Sequence, residues 1–353
     1  MGKKVTAKQV ADAAGVSRSA VSLVFNGRGD DFLSTETQLR IREAAGRLGY
    51  TPNLVARSLR NQQTKLIGVL SNAAVTGPFD GEIIGGADAV AREHGYLTLS
   101  ADTENQADQG ADTLRRLLDQ GVDGLIYLTV GLHETRVLDD FMRVPAALAN
   151  CFPGPGSPEG ADLLPRFIPD EVSGGRVGTE HLIGFGHRRI GLLRGEQDTP
   201  ASGWREDGFR QAMAAAGFPV DESLVAEAGF QISPGYHGAM RLLDVSAERR
   251  PTALVAPNDR VAIGTILAAG RLGLRVPEDL SVVGYDDQRN VASDMVPALT
   301  TVALPLSEMG RRAMRAVLAA VEPDKFDAAT RPVGEVRLEC GLVVRESTAP
   351  VSG

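Results

Sequence analysis

At 353 residues the chain is long enough for two or three domains with a sizeable buried core. Its composition is that of an ordinary globular protein, rich in glycine and poor in aromatics, and no apolar run approaches a membrane span. The net charge of −8 hides an asymmetry: residues 1–65 carry eleven Lys/Arg against five Asp/Glu, the remainder 26 against 40, so the N-terminal part suits a polyanionic partner.

The MGKKVTAKQV start has no apolar core of a secretory signal. MGKKVT fits the minimal N-myristoylation pattern, which we read as coincidence because the residues beyond it have a better use. Cys151 and Cys340 lie far apart in no metal-ligand spacing, as expected of free thiols in a reducing compartment. The expectation is a cytoplasmic protein with no membrane partner.

Thr6 and Gln9 have capping-box spacing and open a helix through Ala14, with Val10, Ala13 and Ala14 on one face and Gly15 as the stop. Ser17 is a good N-cap for a second helix to about Asn26, in which Val21, Val24 and Phe25 recur at i, i+3 and i+4. Arg18, Ser19, Ser22 and Asn26 fall on its opposite face. Two short helices joined by a glycine turn describe a helix-turn-helix. After the loop Gly27–Leu33, a third helix starts near Ser34, buries Ile41, Ala44, Ala45 and Leu48, and ends at Gly49. A generic three-helix interaction module would show the same stripes. The basic excess and the Ser-Arg-Ser start of the second helix favour DNA, since an arginine there can reach guanine O6 and N7 while hydroxyls bind phosphates. The stretch YTPNLVARSLR (50–60) sits on the charge boundary, where a plain linker is the simplest reading.

From Lys65 onward short apolar runs alternate with amphipathic helices. Strands are expected at Leu66–Leu70, Tyr96–Leu99, Gly124–Leu128, Arg189–Leu193, Ala253–Ala256 and Ser281–Tyr285. Helices are expected from about Gly81, at Ala107–Asp119, Gly174–Ile183 and Gly203–Ala216, and after Asn258. Repeated βα units imply parallel sheets covered by helices. Two such runs separated by the Pro/Gly-rich FPGPGSPEGADLLP (152–165) suggest two lobes.

No GxGxxG follows the first strand, and there is no phosphate loop, GxSxG elbow or zinc-site spacing. The five histidines are scattered, and the adjacent Asp286 and Asp287 point apart rather than forming an acid/base dyad. The expectation is a non-enzyme that needs no cofactor and no metal.

VTAKQVADAAGVSRSAVSLVFNG followed by RIREAAGRLGYTPNLVARSLR resembles the DNA-binding headpiece of the LacI/GalR family of bacterial transcription regulators. The resemblance implies that Arg18 and Ser19 read bases and that Thr6, Ser17, Ser22 and Asn26 contact phosphates. Leu23 stands where many members have Arg, and the Gly27–Leu33 loop is longer than usual. It turns residues 50–65 into a hinge helix and linker: Asn53, Ala56 and Leu59 join the DNA-binding set, with Val55 and Ala56 packing against the dimer mate and Leu59 as a minor-groove wedge. So short a helix is unstable alone and would form only on DNA.

Residues 66–350 resemble the same family's periplasmic-binding-protein-like effector domain through GWREDGF (203–209), PTALVAPNDRVAIG (251–264), PEDLSVVGYDD (277–287), PALTTV (297–302) and VVRESTAP (343–350). The implied architecture is an all-α helix-turn-helix headpiece (1–49), the hinge (50–65) and a two-lobed α/β domain with parallel sheets. Lobe 1 would hold about 66–166 plus 299–331, and lobe 2 about 167–298 plus 332–350. By motif position Phe79, Arg205, Asn258 and Asp286 are the effector contacts in the cleft between lobes. Each has another reading: Arg205 pairing with Glu206 or Asp207 at the surface, Asn258 capping its helix, Asp286 closing a turn, Phe79 belonging to the core. The implied function is an effector-controlled transcriptional regulator, a repressor binding a near-palindromic operator as a homodimer, with a sugar or related metabolite as effector. The alternatives are a cytoplasmic solute-binding protein or a sugar-processing α/β enzyme.

Overall fold

A computed structural model of the chain describes residues 5–25, 27–50, 63–72, 79–103 and 107–351. Residues 1–65 form one compact unit and residues 66–353 another.

In the first unit, α1 (Ala7–Ala14) opens with the capping box anticipated from the sequence. The Thr6 hydroxyl accepts from the Gln9 amide at 3.4 Å, and the Gln9 side chain accepts from the Thr6 amide at 2.9 Å. Gly15 takes the left-handed conformation at φ 65° and closes the helix. The Ser17 hydroxyl caps α2 (Arg18–Phe25) by accepting from the Ala20 amide at 3.1 Å. The expected loop contains one helical turn, α3 (Gly29–Phe32), held by the Gln38 amide donating to Asp30 and to the Leu33 carbonyl. Ser34 caps α4 (Thr35–Leu48), which ends at a left-handed Gly49.

Val10, Ala11, Ala14, Ala20, Val21, Val24, Ile41, Ala44 and Ala45 form the core of this unit, and the Tyr50 ring closes it edge-on against Phe25 at 5.4 Å. Two expected core residues are exposed. Ala13 lies about 100° around α1 from the buried Val10–Ala11–Ala14 arc, and Leu48 is the last residue of α4.

The second unit holds two six-stranded sheets. The first comprises β1 (Leu66–Ser71), β2 (Leu97–Asp102), β3 (Gly124–Thr135), β4 (Ala146–Pro153), β5 (Arg166–Pro169) and β11 (Glu335–Leu338), ordered β11-β5-β4-β3-β1-β2 with every pair parallel. The second comprises β6 (Ile190–Arg194), β7 (Val225–Glu227), β8 (Ala253–Val255), β9 (Ser281–Asp286), β10 (Thr300–Ala303) and β12 (Gly341–Val343), ordered β12-β10-β9-β8-β6-β7. Here β12 alone runs antiparallel, against β10. Helices α5 (Asp80–Glu93) and α11 (Leu306–Val321) share a core with the first sheet, and α6 (Ala107–Asp119) packs in that lobe's other core. The second lobe carries α7 (Glu171–Gly184), α8 (Pro200–Ala215), α9 (Ile232–Leu243) and α10 (Asp259–Arg271). No helix among the described residues is long and apolar enough to cross a membrane.

The lobes divide a few residues away from the expected boundaries. Residues 167–169 and 335–338 lie in the first sheet, and 300–303 in the second, so the chain crosses after β5, after β10 and after β11. The Pro/Gly-rich 152–165 segment joins β4 to β5 inside lobe 1 and separates nothing. Its turn residues mark an irregular connection, whereas the true crossing at Pro169–Asp170 passes straight from strand to helix, marked only by one proline and a capping aspartate.

Lobe 1 depends on a close helix crossing: a Cβ on Gly310 of α11 would overlap the Ile83 carbonyl of α5, and one on Gly86 would overlap the Ser307 carbonyl. Gly310→Ala should therefore destabilise the second unit by about 1–3 kcal/mol. Gly270→Ala, in a helix and facing open space, should be neutral or stabilising by about 0.5–1 kcal/mol. Urea unfolding of both variants compares them; equal stability would refute the packing argument.

Candidate functional site

Two sets of residues concern function, one in each unit. In the first unit Thr6, Ser17, Arg18 and Ser19 are exposed. Thr6 caps α1, Ser17 caps α2, and Arg18 and Ser19 are the first two residues of α2. Ser22 is half-buried one turn further along. The N-terminus of α2 thus carries a guanidinium and hydroxyls, a combination suited to phosphate and to base edges. Asn26, Asn53, Ala56 and Leu59 lie outside the described residues.

In the second unit the structure brings Arg205, Asn258 and Asp286 together where β8 and β9 end. Arg205, on α8, is buried. Its Nε and Nη2 donate to the two carboxylate oxygens of Glu171 at 2.8 and 2.9 Å, a bidentate pair. Its Nη1 donates to the Pro257 carbonyl and, at 3.4 Å, to Asp286. One face of the guanidinium stacks 3.7 Å from the Tyr285 ring centroid. The anticipated surface pair with Glu206 or Asp207 does not form; Glu206 pairs with Arg210 and Arg194 instead.

Asn258 caps α10, accepting from the Val261 amide at 2.9 Å while its amide donates to the Phe230 carbonyl at 3.0 Å. Asp286 ends β9 with φ 105°, a backbone conformation costly for a residue with a Cβ, and Asp287 and Asn290 follow with φ 50° and 59°. Asp287 turns away to pair with Arg345 at 2.7 Å, so the two aspartates do point apart. Phe79 packs on the lobe 1 core, the alternative the sequence offered to a ligand contact, and its ring centroid lies 5.8 Å from the guanidinium of Arg260, near the start of α10 in lobe 2.

Sequence reasoning missed the partners that fix these groups. Glu171, the first residue of α7, is 34 positions from Arg205, and nothing local announces it as a buried acid. Asp259 is fully buried and accepts from the Thr301 hydroxyl and the Gln288 amide, both at 2.6 Å, which anchors the loop after β9. Burial raises the Asp286 carboxyl well above its ordinary value, against the pull of Arg205. Burial likewise lifts Asp259 to about 6, although the Thr301 and Gln288 hydrogen bonds favour its charged form. Burial opposes the charge on Arg205, but Glu171 and Asp286 outweigh it and raise its pKa.

A separate open hollow of about 680 Å³ lies between His133 and Glu134 of lobe 1 and Gln197–Pro200 with the outer face of α8 in lobe 2; none of the four anticipated contacts lines it. Among the described residues no three His, Cys, Asp or Glu side chains are grouped to hold a metal.

The family model described as bacterial regulatory proteins, lacI family, matches residues 6–53, and that of a periplasmic binding protein-like domain matches residues 179–348. The chain is 33% identical to the HTH-type transcriptional regulator DegA of Bacillus subtilis (strain 168), over 99% of each chain. It is 33% identical to the HTH-type transcriptional repressor PurR of Proteus mirabilis (strain HI4320), over 98% of this chain and 97% of that one. Among solved structures, a lac repressor dimer bound to operator and the anti-inducer ONPF superposes with a TM-score of 0.75 at 27% identity, covering 98% of this chain and 100% of that one. A complex of the transcriptional regulator CelR with cellobiose superposes at 0.65 with 30% identity and the same coverage.

The raised Asp259 carboxyl has a pH consequence. Its ordinary value is 3.8 and its folded value about 6, so between these the folded protein holds a proton that the unfolded chain has lost. Its contribution to stability is therefore greatest below about pH 4 and falls as pH rises through 6. The stability of the wild type relative to Asp259→Asn should drop by roughly 2 kcal/mol between pH 4.5 and 7.5, read by urea unfolding. A pH-independent difference would contradict this.

Proposed function

The chain belongs to the lacI family of bacterial regulatory proteins and is a DNA-binding transcriptional regulator; from that premise we propose that it is a cytoplasmic repressor whose hold on DNA is set by a small polyhydroxyl molecule, a sugar or related metabolite, in the cleft between its lobes. It binds a near-palindromic operator as a homodimer, because one helix-turn-helix reads a single half-site. The observation that carries this reading is the exposed N-terminus of α2, with Arg18 and Ser19 leading the helix and the Thr6 and Ser17 hydroxyls at the neighbouring helix starts.

Base reading falls to Arg18 and Ser19, and phosphate contact to Thr6, Ser17, Ser22 and Asn26. Asn53, Ala56 and Leu59 complete the DNA contacts on the strength of the sequence resemblance, with Leu59 as the wedge. The lac repressor dimer on its operator supports the dimeric arrangement, and the cellobiose complex of CelR supports a sugar in the cleft. Phe79, Arg205, Asn258 and Asp286 surround that place in this chain; Asp286 and Asn258 supply polar atoms and Phe79 a ring face. The relatives are regulators, and a role without catalysis fits a cleft whose carboxylates are committed to holding loops and an arginine in place.

The test is selection of binding sites from a randomised duplex pool by the full-length protein, followed by mobility shifts across a salt series. A two-fold symmetric sequence should be enriched, with affinity falling steeply as salt rises. Arg18→Ala should weaken binding by about 1–3 kcal/mol and relax the preference at one base pair of each half-site. Leu59→Ala should reduce both affinity and DNA bending. Enrichment of no symmetric sequence at any salt would sink the proposal.

A further inference from the structure

The inference concerns the far end of the DNA-reading helix, and it rests on the reading that the N-terminus of α2 enters the major groove. The C-terminus of α2 is closed by a Schellman pair. The Gly27 amide donates to the Val24 carbonyl at 3.4 Å and the Arg28 amide to the Leu23 carbonyl at 3.0 Å, with Gly27 left-handed at φ 73°. The backbone of Arg28 is therefore held at the helix end rather than carried away on a loop.

The turn that follows is fastened to α4. Gly29 is buried with the Gln38 side chain where a Cβ would stand, and Gln38 donates to Asp30 and to the Leu33 carbonyl. These bonds draw the Asp30 carboxylate toward α4. Phe32, at the end of the turn, is 59% exposed, and the Arg28 guanidinium lies 5.2 Å from its ring centroid. So exposed a phenylalanine adds little to the core; as a platform it holds a guanidinium over its face while the N–H edges stay available. Arg28 is exposed and, among the described residues, has no carboxylate partner, whereas exposed arginines of the second unit such as Arg92 and Arg116 pair with Asp88 and Asp112. The length of α2 sets what Arg28 reaches. Its eight residues span about 12 Å, close to the width of the major groove. With Arg18 among the base edges at one end, the other end meets the groove wall, which is sugar and phosphate.

We propose that Arg28 is a further DNA-contacting residue, a phosphate anchor held ready on the Phe32 ring, so that the headpiece grips DNA at both ends of α2. Sequence is read at the Arg18 end, and the register of the helix in the groove is fixed at the Arg28 end. A cation already ordered by its platform loses little freedom on binding, which is what makes a single phosphate contact effective.

Fluorescence anisotropy of the full-length protein on its selected duplex and on a scrambled one, over a salt series, decides the matter. Arg28→Ala should weaken both by a similar severalfold factor, leave the selected sequence unchanged, and reduce the slope of log K against log salt by about 0.9 per bound chain. Arg28→Lys should restore the slope, since a phosphate accepts from a point charge. Phe32→Ala should lower affinity with the slope kept, because the charge remains but must be ordered on binding. Arg116→Ala makes the same change in net charge in the second unit and should alter neither quantity; a slope lowered equally there assigns the effect to net charge and overturns the proposal. Unchanged affinity and slope in Arg28→Ala, with Arg18→Ala still weakening binding, overturn it while leaving the groove reading intact. A changed base preference in Arg28→Ala makes Arg28 a base reader and overturns the phosphate assignment. A wild type with no salt-dependent binding removes the groove reading, and the proposal falls with it.

Discussion

A guanidinium buried this deeply must be paired, because the desolvation of an isolated charge amounts to several kcal/mol even after the protein relaxes. The bidentate Arg205–Glu171 pair meets that requirement and in doing so ties together most of lobe 2's cleft edge. One side chain from α8 reaches the start of α7, the turn between β8 and α10, and two consecutive residues of β9. Removing either partner would leave a buried charge without compensation, a loss of about 3–5 kcal/mol. The positions of Asn258 and Asp286 are consequences of this arrangement as much as of their own strands and helices. The strained backbone at Asp286 persists because Arg205, Asp259 and the Asp287–Arg345 pair fix the residues around it.

The headpiece was legible almost residue by residue, since its determinants are local. Capping boxes, left-handed glycines and i, i+3, i+4 stripes act within one or two turns, and Thr6, Gly15, Ser17, Ser34 and Gly49 all do what their residue types prescribe. The α/β rhythm of the large domain was legible for strands that read as clear apolar runs. It failed at β4, β5, β7, β10, β11 and β12, where strands are short or flanked by proline and depend on neighbours far away in sequence. The same non-locality misplaced the lobe crossings: a proline-rich stretch looks like a boundary, but the chain changes lobe at Pro169–Asp170, where a strand runs directly into a capped helix.

The candidate site divides in the same way. The motif positions of Arg205, Asn258 and Asp286 were available from the sequence, and the structure gathers them at the ends of β8 and β9. What each does with its hydrogen-bonding capacity was not available. Asn258 has a capping role that its position before a helix foretold, yet its amide is also engaged, by a carbonyl 28 residues away. The role of Arg205 depends on a glutamate that follows an unremarkable aspartate in another helix. Two residues with the same charge, Glu206 beside it in sequence and Glu171 in space, compete on paper. Only packing shows that Glu206 belongs to Arg194 and Arg210.

Control of DNA binding by a ligand requires that the ligand prefer one lobe arrangement to another, since equal affinity for both shifts nothing. Contacts that span the lobes are therefore where the coupling energy must be stored. Two are prominent. The only tryptophan of the chain, Trp204 on α8, stacks on Phe152 of β4 at 6.2 Å and lies under the guanidinium of Arg337 of β11 at 4.6 Å. Phe79 faces Arg260 at the opposite lobe's helix start. Aromatic and cation–π contacts of this kind contribute roughly 0.5–1.5 kcal/mol each, comparable to the 1–3 kcal/mol typical of allosteric coupling. Arg205 and Trp204 are neighbours on one helix, one turned into lobe 2 and the other toward lobe 1. Through α8 the contact of Arg205 with Asp286 is joined to the contact of Trp204 with Phe152 and Arg337, so one helix connects the end of β9 to the lobe interface.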